Sequence, residues 1–176
     1  MKEGSLNTYP IRPARESDLD VLQSIERSAG LPFADIAMAF IADDEPPSIE
    51  TLRKFVASEK AWVSTDLDDT PIAYLLAEVV DGNAHLEQVS VHSDYAHNRI
   101  GLALLHHMIE WAREHDLPAI TLTTYTDVPW NGPYYERSGF RYLAENEETP
   151  GLKQIRAEEL AHGLDQWPRA CMRREL

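Results

Sequence analysis

A strand-like run gives way to a helix-like run within residues 91–105, which read Val91-His92-Ser93-Asp94-Tyr95-Ala96-His97-Asn98-Arg99-Ile100-Gly101-Leu102-Ala103-Leu104-Leu105. The β-prone run ends near His92, and an apolar run with helical spacing begins near Ile100. The first four N–H groups of a helix have no partner within it, and the helix dipole adds positive potential. Such a junction is therefore suited to an anion such as phosphate. Gly101 in the first turn serves either the approach of a ligand to the backbone or close packing.

The flanking sequence predicts a βαβ unit around this junction. Asp81-Gly82-Asn83 is typical of a hairpin turn, and a β-prone run follows it over residues 84–91. A regular helix is predicted over residues 100–115, and its apolar face consists of Leu104, Leu105, Met108, Trp111 and Ala112. An alternating strand follows over residues 119–125. A helix between two strands at this spacing indicates that the strands are parallel.

The remaining sequence predicts further strands and helices on both sides of that unit. The predicted strands are residues 8–13, 61–65, 72–80, 140–143 and 168–174. The predicted helices are residues 17–30, 33–41, 48–58, 134–137 and 155–163. No internal repeat, linker or low-complexity segment interrupts the chain, so we predict a single α+β domain over residues 1–176.

The composition narrows the class of protein. The 176 residues carry a formal net charge of −14, from 16 basic and 30 acidic residues, which argues against nucleic-acid binding. The single cysteine, Cys171, excludes an internal disulfide and a multi-cysteine zinc site, and no metal site is predicted. No apolar run is long enough to span a membrane, and residues 1–5 are polar. We therefore predict a cytoplasmic protein that binds neither nucleic acid nor a membrane.

The motifs around the junction match those of a known superfamily. The loop contains Ala96-His97-Asn98-Arg99-Ile100-Gly101, and Asn131 and Tyr134-Tyr135-Glu136-Arg137-Ser138-Gly139-Phe140 follow the second strand. This order over residues 84–143 resembles the GCN5-related N-acetyltransferase (GNAT) superfamily, whose loop has the form Q/R-x-x-G-x-G/A. The resemblance is looser over residues 8–83. Ala96 stands where Gln or Arg is usual and Arg99 where the first Gly is usual, whereas Gly101 is retained.

The resemblance implies a GNAT-like fold, with a mixed sheet of six to seven strands and helices on both faces. Its parallel strands, 84–91 and 119–125, are splayed, and the co-substrate acetyl-coenzyme A lies in the gap. Main-chain groups bind most of the pantetheine and pyrophosphate. The implied cofactor-binding residues are Val89, Ser90, Val91, His97, Asn98, Arg99, Ile100, Gly101, Leu102 and Asn131. Asn131 has a second interpretation as the cap of the short helix.

Arg99 has two opposite interpretations. Because the implied cradle uses main-chain N–H groups, side chains other than Gln and Gly at positions 96 and 99 are compatible with cofactor binding. The Arg99 guanidinium either adds a charge-assisted contact to phosphate or the residue narrows the cradle through its Cβ atom.

The resemblance also implies the catalytic residues. Tyr135 aligns with the general acid that protonates the departing thiolate, whereas Tyr134 is interpreted as a packing residue. A phenol, with a pKa of about 10, can donate a proton to a developing thiolate. Glu87, on the strand before the junction, is either the proton acceptor or a solvated carboxylate. His85 and His92 are lesser candidates for the base.

The implied activity is transfer of an acetyl group from acetyl-coenzyme A to a primary amine of a small molecule or a protein. Residues 29–47 and 144–152 are expected to hold this acceptor, and their acidic side chains either favour a cationic amine or are simply solvated. Dimers are frequent in the superfamily, so a homodimer is a further expectation. The alternative is a non-catalytic acyl-coenzyme A sensor on the same fold. A flavin or nucleotide binder is less well supported, because neither G-x-G-x-x-G nor a Walker lysine is present.

Overall fold

The computed structural model describes residues 9–176. The polar residues 1–5 and Thr8 of the predicted first strand lie outside the described residues. The strands are β1 (Ile11–Pro13), β2 (Ala61–Thr65), β3 (Pro71–Val80), β4 (Asn83–Val91), β5 (Ala119–Tyr125), β6 (Arg141–Tyr142) and β7 (Arg169–Glu175). The α-helices are α1 (Leu19–Gly30), α2 (Ala39–Ala42), α3 (Ile49–Ala57), α4 (Ile100–Glu114), α5 (Gly132–Arg137) and α6 (Pro150–Ala161). Short 3₁₀ helices are formed by Glu16–Asp18, Leu31–Ile36, Ser93–Tyr95, Glu145–Glu147 and Leu164–Gln166.

The seven strands form one mixed sheet in the order β1-β2-β3-β4-β5-β7-β6. The β4–β5 pair is parallel, with α4 as the crossover, whereas β1–β2, β2–β3, β5–β7 and β6–β7 are antiparallel. The register of the parallel pair comprises Ala84 with Ile120 and His85 with Thr121. The predicted mixed sheet of six to seven strands with this parallel pair is therefore confirmed, and the last strand completes its own chain's sheet along the whole of β5.

The chain divides into two compact units, each built from separate segments. The first consists of Met1–Ala77 and Glu87–Met108, and the second of Glu78–Leu86 and Ile109–Leu176. Strands β3 and β4 and helix α4 each contribute residues to both units. The single domain over residues 1–176 stays a prediction.

Helices flank both faces of the sheet in the first unit. Helices α1 and α3 pack against β2 and β3 around a core that contains Leu19, Leu22, Ile25, Leu52, Phe55, Ala61, Val63, Tyr74 and Leu76. Side chains alternate along a strand, so Trp62 points to the opposite face from its neighbours. There its ring meets His107 of α4 edge to face, with 5.6 Å between the ring centroids. Helix α4 therefore covers the face that α1 and α3 leave uncovered.

In the second unit, helix α6 packs on β7. Leu143, Leu152 and Cys171 form a small buried cluster, against which Ile155 is packed. Burial raises the pKa of the Cys171 thiol to about 12, so this cysteine stays protonated. The N–H of Gly151 in the first turn of α6 donates to Oδ2 of Asp81 at 2.8 Å. The start of the helix is thereby tied to the β3–β4 turn.

Two predicted helices differ most from the structure, and the helix predicted over residues 134–137 begins two residues earlier, at Gly132. The helix predicted over residues 33–41 is instead a 3₁₀ helix, Leu31–Ile36, and the single turn α2, separated at Ala37 by a left-handed φ of 62°. The helix predicted over residues 155–163 begins at Pro150, because proline is compatible with the first helical position, where no N–H is needed.

None of the helices in residues 9–176 combines the length and the apolar character that crossing a bilayer requires.

Candidate functional site

The start of the loop between β4 and α4 is held by hydrogen bonds to β3 and α1. The N–H of His92 donates to the carbonyl of Ile72 at 2.9 Å. The N–H of Ser93 donates to Oγ of Ser28 at 2.9 Å, and the two serine hydroxyls lie 2.7 Å apart. Helix α1 therefore holds the point at which the chain leaves β4.

The second half of the loop is shaped by an asparagine and two left-handed residues. Nδ2 of Asn98 donates to the carbonyls of Tyr95 (3.0 Å) and Ala96 (3.2 Å). His97 and Arg99 have φ angles of 66° and 57°, in the region that favours glycine. The glycine of the superfamily pattern at the position of Arg99 thus has a conformational reason.

Helix α4 presents free N–H groups at its start. Its first hydrogen bond is donated by the N–H of Ala103 to the carbonyl of Arg99, at 3.1 Å. The N–H groups of Ile100, Gly101 and Leu102 precede that bond and have no carbonyl partner within the helix. With the helix dipole behind them, they form a cradle for an anion.

Packing does not explain the glycine in this cradle. A Cβ atom added to Gly101 meets one neighbouring side chain, Cγ2 of Val91, at an ordinary contact distance of 3.7 Å. The residue is helical, where alanine is more favourable than glycine. Of the two interpretations of Gly101, the structure therefore favours the approach of a ligand to the backbone.

The Arg99 side chain does not fill the cradle through contacts of its own. It is exposed, and within residues 9–176 no hydrogen bond or ion pair restrains its guanidinium. The guanidinium is thus available for a phosphate. The left-handed backbone of Arg99 costs free energy, because a residue with a Cβ atom disfavours that conformation.

Replacing Arg99 with glycine is expected to raise the free energy of unfolding by about 1 kcal/mol, because glycine adopts the left-handed φ without the Cβ penalty. Urea denaturation measures the change. Asn98→Gly is the matched control: Asn98 is not among the left-handed residues and its amide braces the loop, so this variant should be less stable. Equal destabilisation by both substitutions would contradict the conformational argument.

Strand β4 carries the other predicted residues of the first unit. Glu87 is exposed, Val89 and Val91 are half-buried, and Ser90 is buried. Its register with β5 extends only to His85, so β4 continues beyond the parallel pairing before it reaches Val89. This is the arrangement in which main-chain groups of a strand can pair with an extended ligand.

A carboxylate that the sequence analysis missed lies against this part of β4. Oε2 of Glu26, on α1, accepts hydrogen bonds from the hydroxyls of Tyr74 and Ser90, both at 2.6 Å. Oε1 accepts from Nε2 of Gln88 at 3.2 Å, and the same amide donates to Oγ of Ser90 at 2.9 Å. Burial and the nearby carboxylate raise the pKa of Tyr74, which therefore remains a donor. Glu26 follows Leu22 by one helical turn, and this interruption of an apolar stripe was the available signal.

The second unit holds the predicted acid. The Tyr135 ring is 8% exposed and packs edge to face against Tyr134 and Phe140, with centroid distances of 5.2 and 5.6 Å. Burial raises the pKa of Tyr135, so the phenol is protonated at neutral pH, as a proton donor must be. The first turn of its helix adjoins the end of β5, because a Cβ on Gly132 would lie 3.0 Å from the carbonyl of Tyr125.

Asn131 stands at the cap position of α5 but does not cap the helix. Its Nδ2 donates to the carbonyl of Trp130 at 3.1 Å, and its side chain makes no capping hydrogen bond. The capping interpretation of Asn131 was therefore wrong. A side chain turned back toward the preceding loop leaves the first N–H groups of α5 without this partner.

The two histidines considered as bases are engaged elsewhere. His85 is buried, with Nδ1 at 2.9 Å from Oγ1 of Thr121, and burial lowers its pKa to about 4. Nδ1 of His92 accepts a hydrogen bond from the N–H of Asp94 at 3.1 Å. In residues 9–176, no three His, Cys, Asp or Glu side chains are grouped to hold a metal ion.

Several solved structures of similar fold are acetyltransferases. A PaiA N-acetyltransferase from Thermoplasma acidophilum, in complex with coenzyme A, matches with a TM-score of 0.71 and 15% identity over 96% of this chain and 99% of that one. A GNAT-family acetyltransferase from Staphylococcus aureus has a TM-score of 0.69 and 15% identity, over 96% and 99%. The ribosomal-protein-S18-alanine N-acetyltransferase from Escherichia coli has a TM-score of 0.67 and 20% identity, over 96% and 94%. At these identities the likeness supports the fold, and the predicted fold class is confirmed.

The range matched by a family model includes both the cradle and helix α5. The model of the acetyltransferase (GNAT) family matches residues 31–140, more than half of the chain. Acetyltransferases of this family take their acyl group from acetyl-coenzyme A, so the predicted enzyme class and co-substrate are confirmed at the level of the family. With this match and a mixed sheet whose β4–β5 pair is parallel, the chain belongs to the GNAT family of acetyltransferases.

Proposed function

We propose that this chain transfers the acetyl group of acetyl-coenzyme A to a primary amine of a small molecule or a protein, by direct attack of the amine. The observation that carries the proposal is the start of α4. It presents three N–H groups without helical partners, and Gly101 keeps them uncovered although packing has room for a Cβ atom. A diphosphate is the anion that such a cradle suits in a family that uses acetyl-coenzyme A.

In this proposal the cofactor is bound mainly by the main chain. The N–H groups of residues 97–102 hold the pyrophosphate, and Arg99 adds a charge-assisted contact. The backbone of Val89, Ser90 and Val91 pairs with the pantetheine as an added strand does, and the N–H near Val91 polarises the thioester carbonyl. Asn131, which is free of a capping role, contributes a side-chain contact.

The chemistry needs one proton acceptor and one proton donor. Glu87, exposed on β4, takes a proton from the ammonium group, and the neutral nitrogen attacks the carbonyl carbon. As the carbon–sulfur bond breaks, its electron pair stays on sulfur, which takes a proton from the Tyr135 hydroxyl. The nitrogen that attacked still carries two hydrogens and a positive charge; it gives one proton back to the tyrosinate, which leaves the neutral amide.

Two classes of acceptor carry an amino group that the proposed enzyme could deprotonate and acetylate. The E. coli structure carries the name of an enzyme that acetylates an alanine of a ribosomal protein, so a protein amino group is one candidate. Free amines are the other. A thiol-release assay over a panel of small amines and peptide amino termini distinguishes the two.

The Gly101→Ala variant separates cofactor binding from folding. Its Cβ atom should lower the affinity for acetyl-coenzyme A about tenfold by intruding on the cradle. The same substitution should leave the free energy of unfolding unchanged or raise it by up to about 1 kcal/mol, because alanine is the better helix former. Titration calorimetry and urea denaturation measure the two quantities.

The matched control is Gly30→Ala, where an added Cβ also meets only ordinary contacts and the cradle is untouched. It should bind acetyl-coenzyme A as the unmodified chain does. Unchanged affinity in Gly101→Ala would contradict the cradle. Tight binding of acetyl-coenzyme A without thiol release from any amine would favour the non-catalytic sensor instead.

A further inference from the structure

The Glu26 carboxylate lies half-buried among neutral partners. Its three hydrogen-bond donors are two hydroxyls and one amide, from Tyr74, Ser90 and Gln88. Within residues 9–176, no Lys, Arg or His side chain forms an ion pair with it. Burying a carboxylate anion without a cation costs free energy, and a cationic ligand would reduce that cost.

The missing cation is not available from nearby sequence. No Lys or Arg occurs between Lys60 and Arg99, a stretch that contains β3 and β4. Arg27, the next residue on α1, is exposed and points away around the helix. The Glu26 carboxylate is therefore not one half of an ion pair within the described part of the first unit.

The carboxylate also has one acceptor position left. A carboxylate offers about four lone-pair sites, and the three donors occupy two on Oε2 and one on Oε1. The fourth, on Oε1, can accept a charge-assisted hydrogen bond from an ammonium group. The network holds the carboxylate in one orientation, because Tyr74 is fully buried and Ser90 is 5% exposed.

We propose that Glu26 binds the ammonium group of the acceptor and holds it beside Val89, Ser90 and Val91. This inference rests on the proposed function, and it assigns recognition of the acceptor's positive charge to Glu26. Glu26 gives the charge recognition, and the neutral donors around it fix the orientation of the carboxylate. The direct hydrogen bond from Ser90 ties the ammonium site to the strand that is proposed to hold the thioester.

A cation and a neutral probe of the same length test this site. Hexylammonium chloride and 1-hexanol are titrated into the full chain, with and without saturating coenzyme A, and followed by NMR at low salt. The unmodified chain should bind hexylammonium about tenfold to a hundredfold more tightly than hexanol, the range of a charge-assisted hydrogen bond. Glu26→Gln should abolish that preference. Asp20→Asn, which removes an exposed carboxylate from the same helix, should keep it.

Two outcomes would overturn the inference. One is equal affinity of the unmodified chain for the two probes, and the other is a preference for the cation that survives in Glu26→Gln. If Glu26→Gln does not fold, Glu87→Gln decides instead: the preference for the cation must survive there, because Glu26 is retained, and its loss would assign the cation to Glu87. The titration is readable without turnover, so absent thiol release defeats the proposed function and leaves the test of Glu26 intact.

Discussion

Tyr135→Phe should lower kcat about a hundredfold while the affinity for acetyl-coenzyme A is unchanged. The substitution removes only the hydroxyl, and the ring keeps its edge-to-face packing with Tyr134 and Phe140. Burial raises the pKa of this phenol, so the native residue enters the reaction with its proton. A thiolate leaves more readily than an amine, which is why we expect the lower end of the usual range for a general acid. Thiol release gives kcat, and calorimetry gives the affinity.

Tyr134→Phe is the control, because it removes a phenol hydroxyl from the adjacent residue of the same helix. It should turn over within about twofold of the unmodified chain, since its proposed role is packing. Equal losses in the two variants would mean that the hydroxyls support the helix rather than the chemistry. Unchanged turnover in Tyr135→Phe would remove the residue from the mechanism.

Glu159→Gln should lower the free energy of unfolding by about 3 kcal/mol, the largest loss of stability that we expect from a change of one charge. The Glu159 carboxylate accepts hydrogen bonds from Arg156 at 2.6 Å and Arg169 at 3.1 Å, and also from the Thr123 hydroxyl. The Arg169 side chain is 9% exposed and stacks over the Tyr125 ring at 4.3 Å. Neutralising the carboxylate leaves this guanidinium buried without its anion.

Glu158→Gln is the control, since this neighbouring carboxylate is exposed and accepts a hydrogen bond from the amide of Gln154. It should change the free energy of unfolding by less than about 0.5 kcal/mol. Urea denaturation of both variants measures the difference. Arg156 keeps its paired hydrogen bonds with Asp165 in either case, so similar losses would show that Arg169 does not depend on Glu159.

The sequence was most informative where short-range periodicity decides the structure. The predicted limits of β2 and β5 agree with the structure, because alternating β-branched and aromatic residues define both strands and turn residues bound them. The junction from β4 to α4 was also predictable, since a polar loop separates two apolar runs of different period. Gly101 and the motif around it then led to the family.

The sequence was least informative where tertiary contacts decide. The helix predicted from residue 155 begins at Pro150 in the structure, and Pro150 and Gly151 are residue types that are common in loops. In the structure the Gly151 N–H is satisfied by Asp81, a residue 70 positions earlier in the chain, and a Cβ on Gly151 would lie 2.5 Å from Cγ1 of Val80. No local pattern reports such a contact.

The same distinction applies to the candidate site, where local sequence predicts some residues and tertiary contacts determine the others. The cradle residues were predictable from the loop pattern, but the left-handed φ of Arg99 and the inward carboxylate of Glu26 were not. A positive φ depends on how the loop is closed by its neighbours. The role of Glu26 depends on the packing of α1 against β3 and β4, which brings together residues that are far apart in the chain.

Helix α1 is fastened to the chain of the cradle at two points, Glu26 to Ser90 and Ser28 to Ser93. The attachments are two residues apart on the helix and three apart on the strand and loop that they hold. Insertions after Gly30 leave this spacing intact, whereas an insertion within it breaks one attachment. Residues 31–47, which we propose to hold part of the acceptor, can therefore be lengthened or rebuilt while both attachments of α1 stay in place.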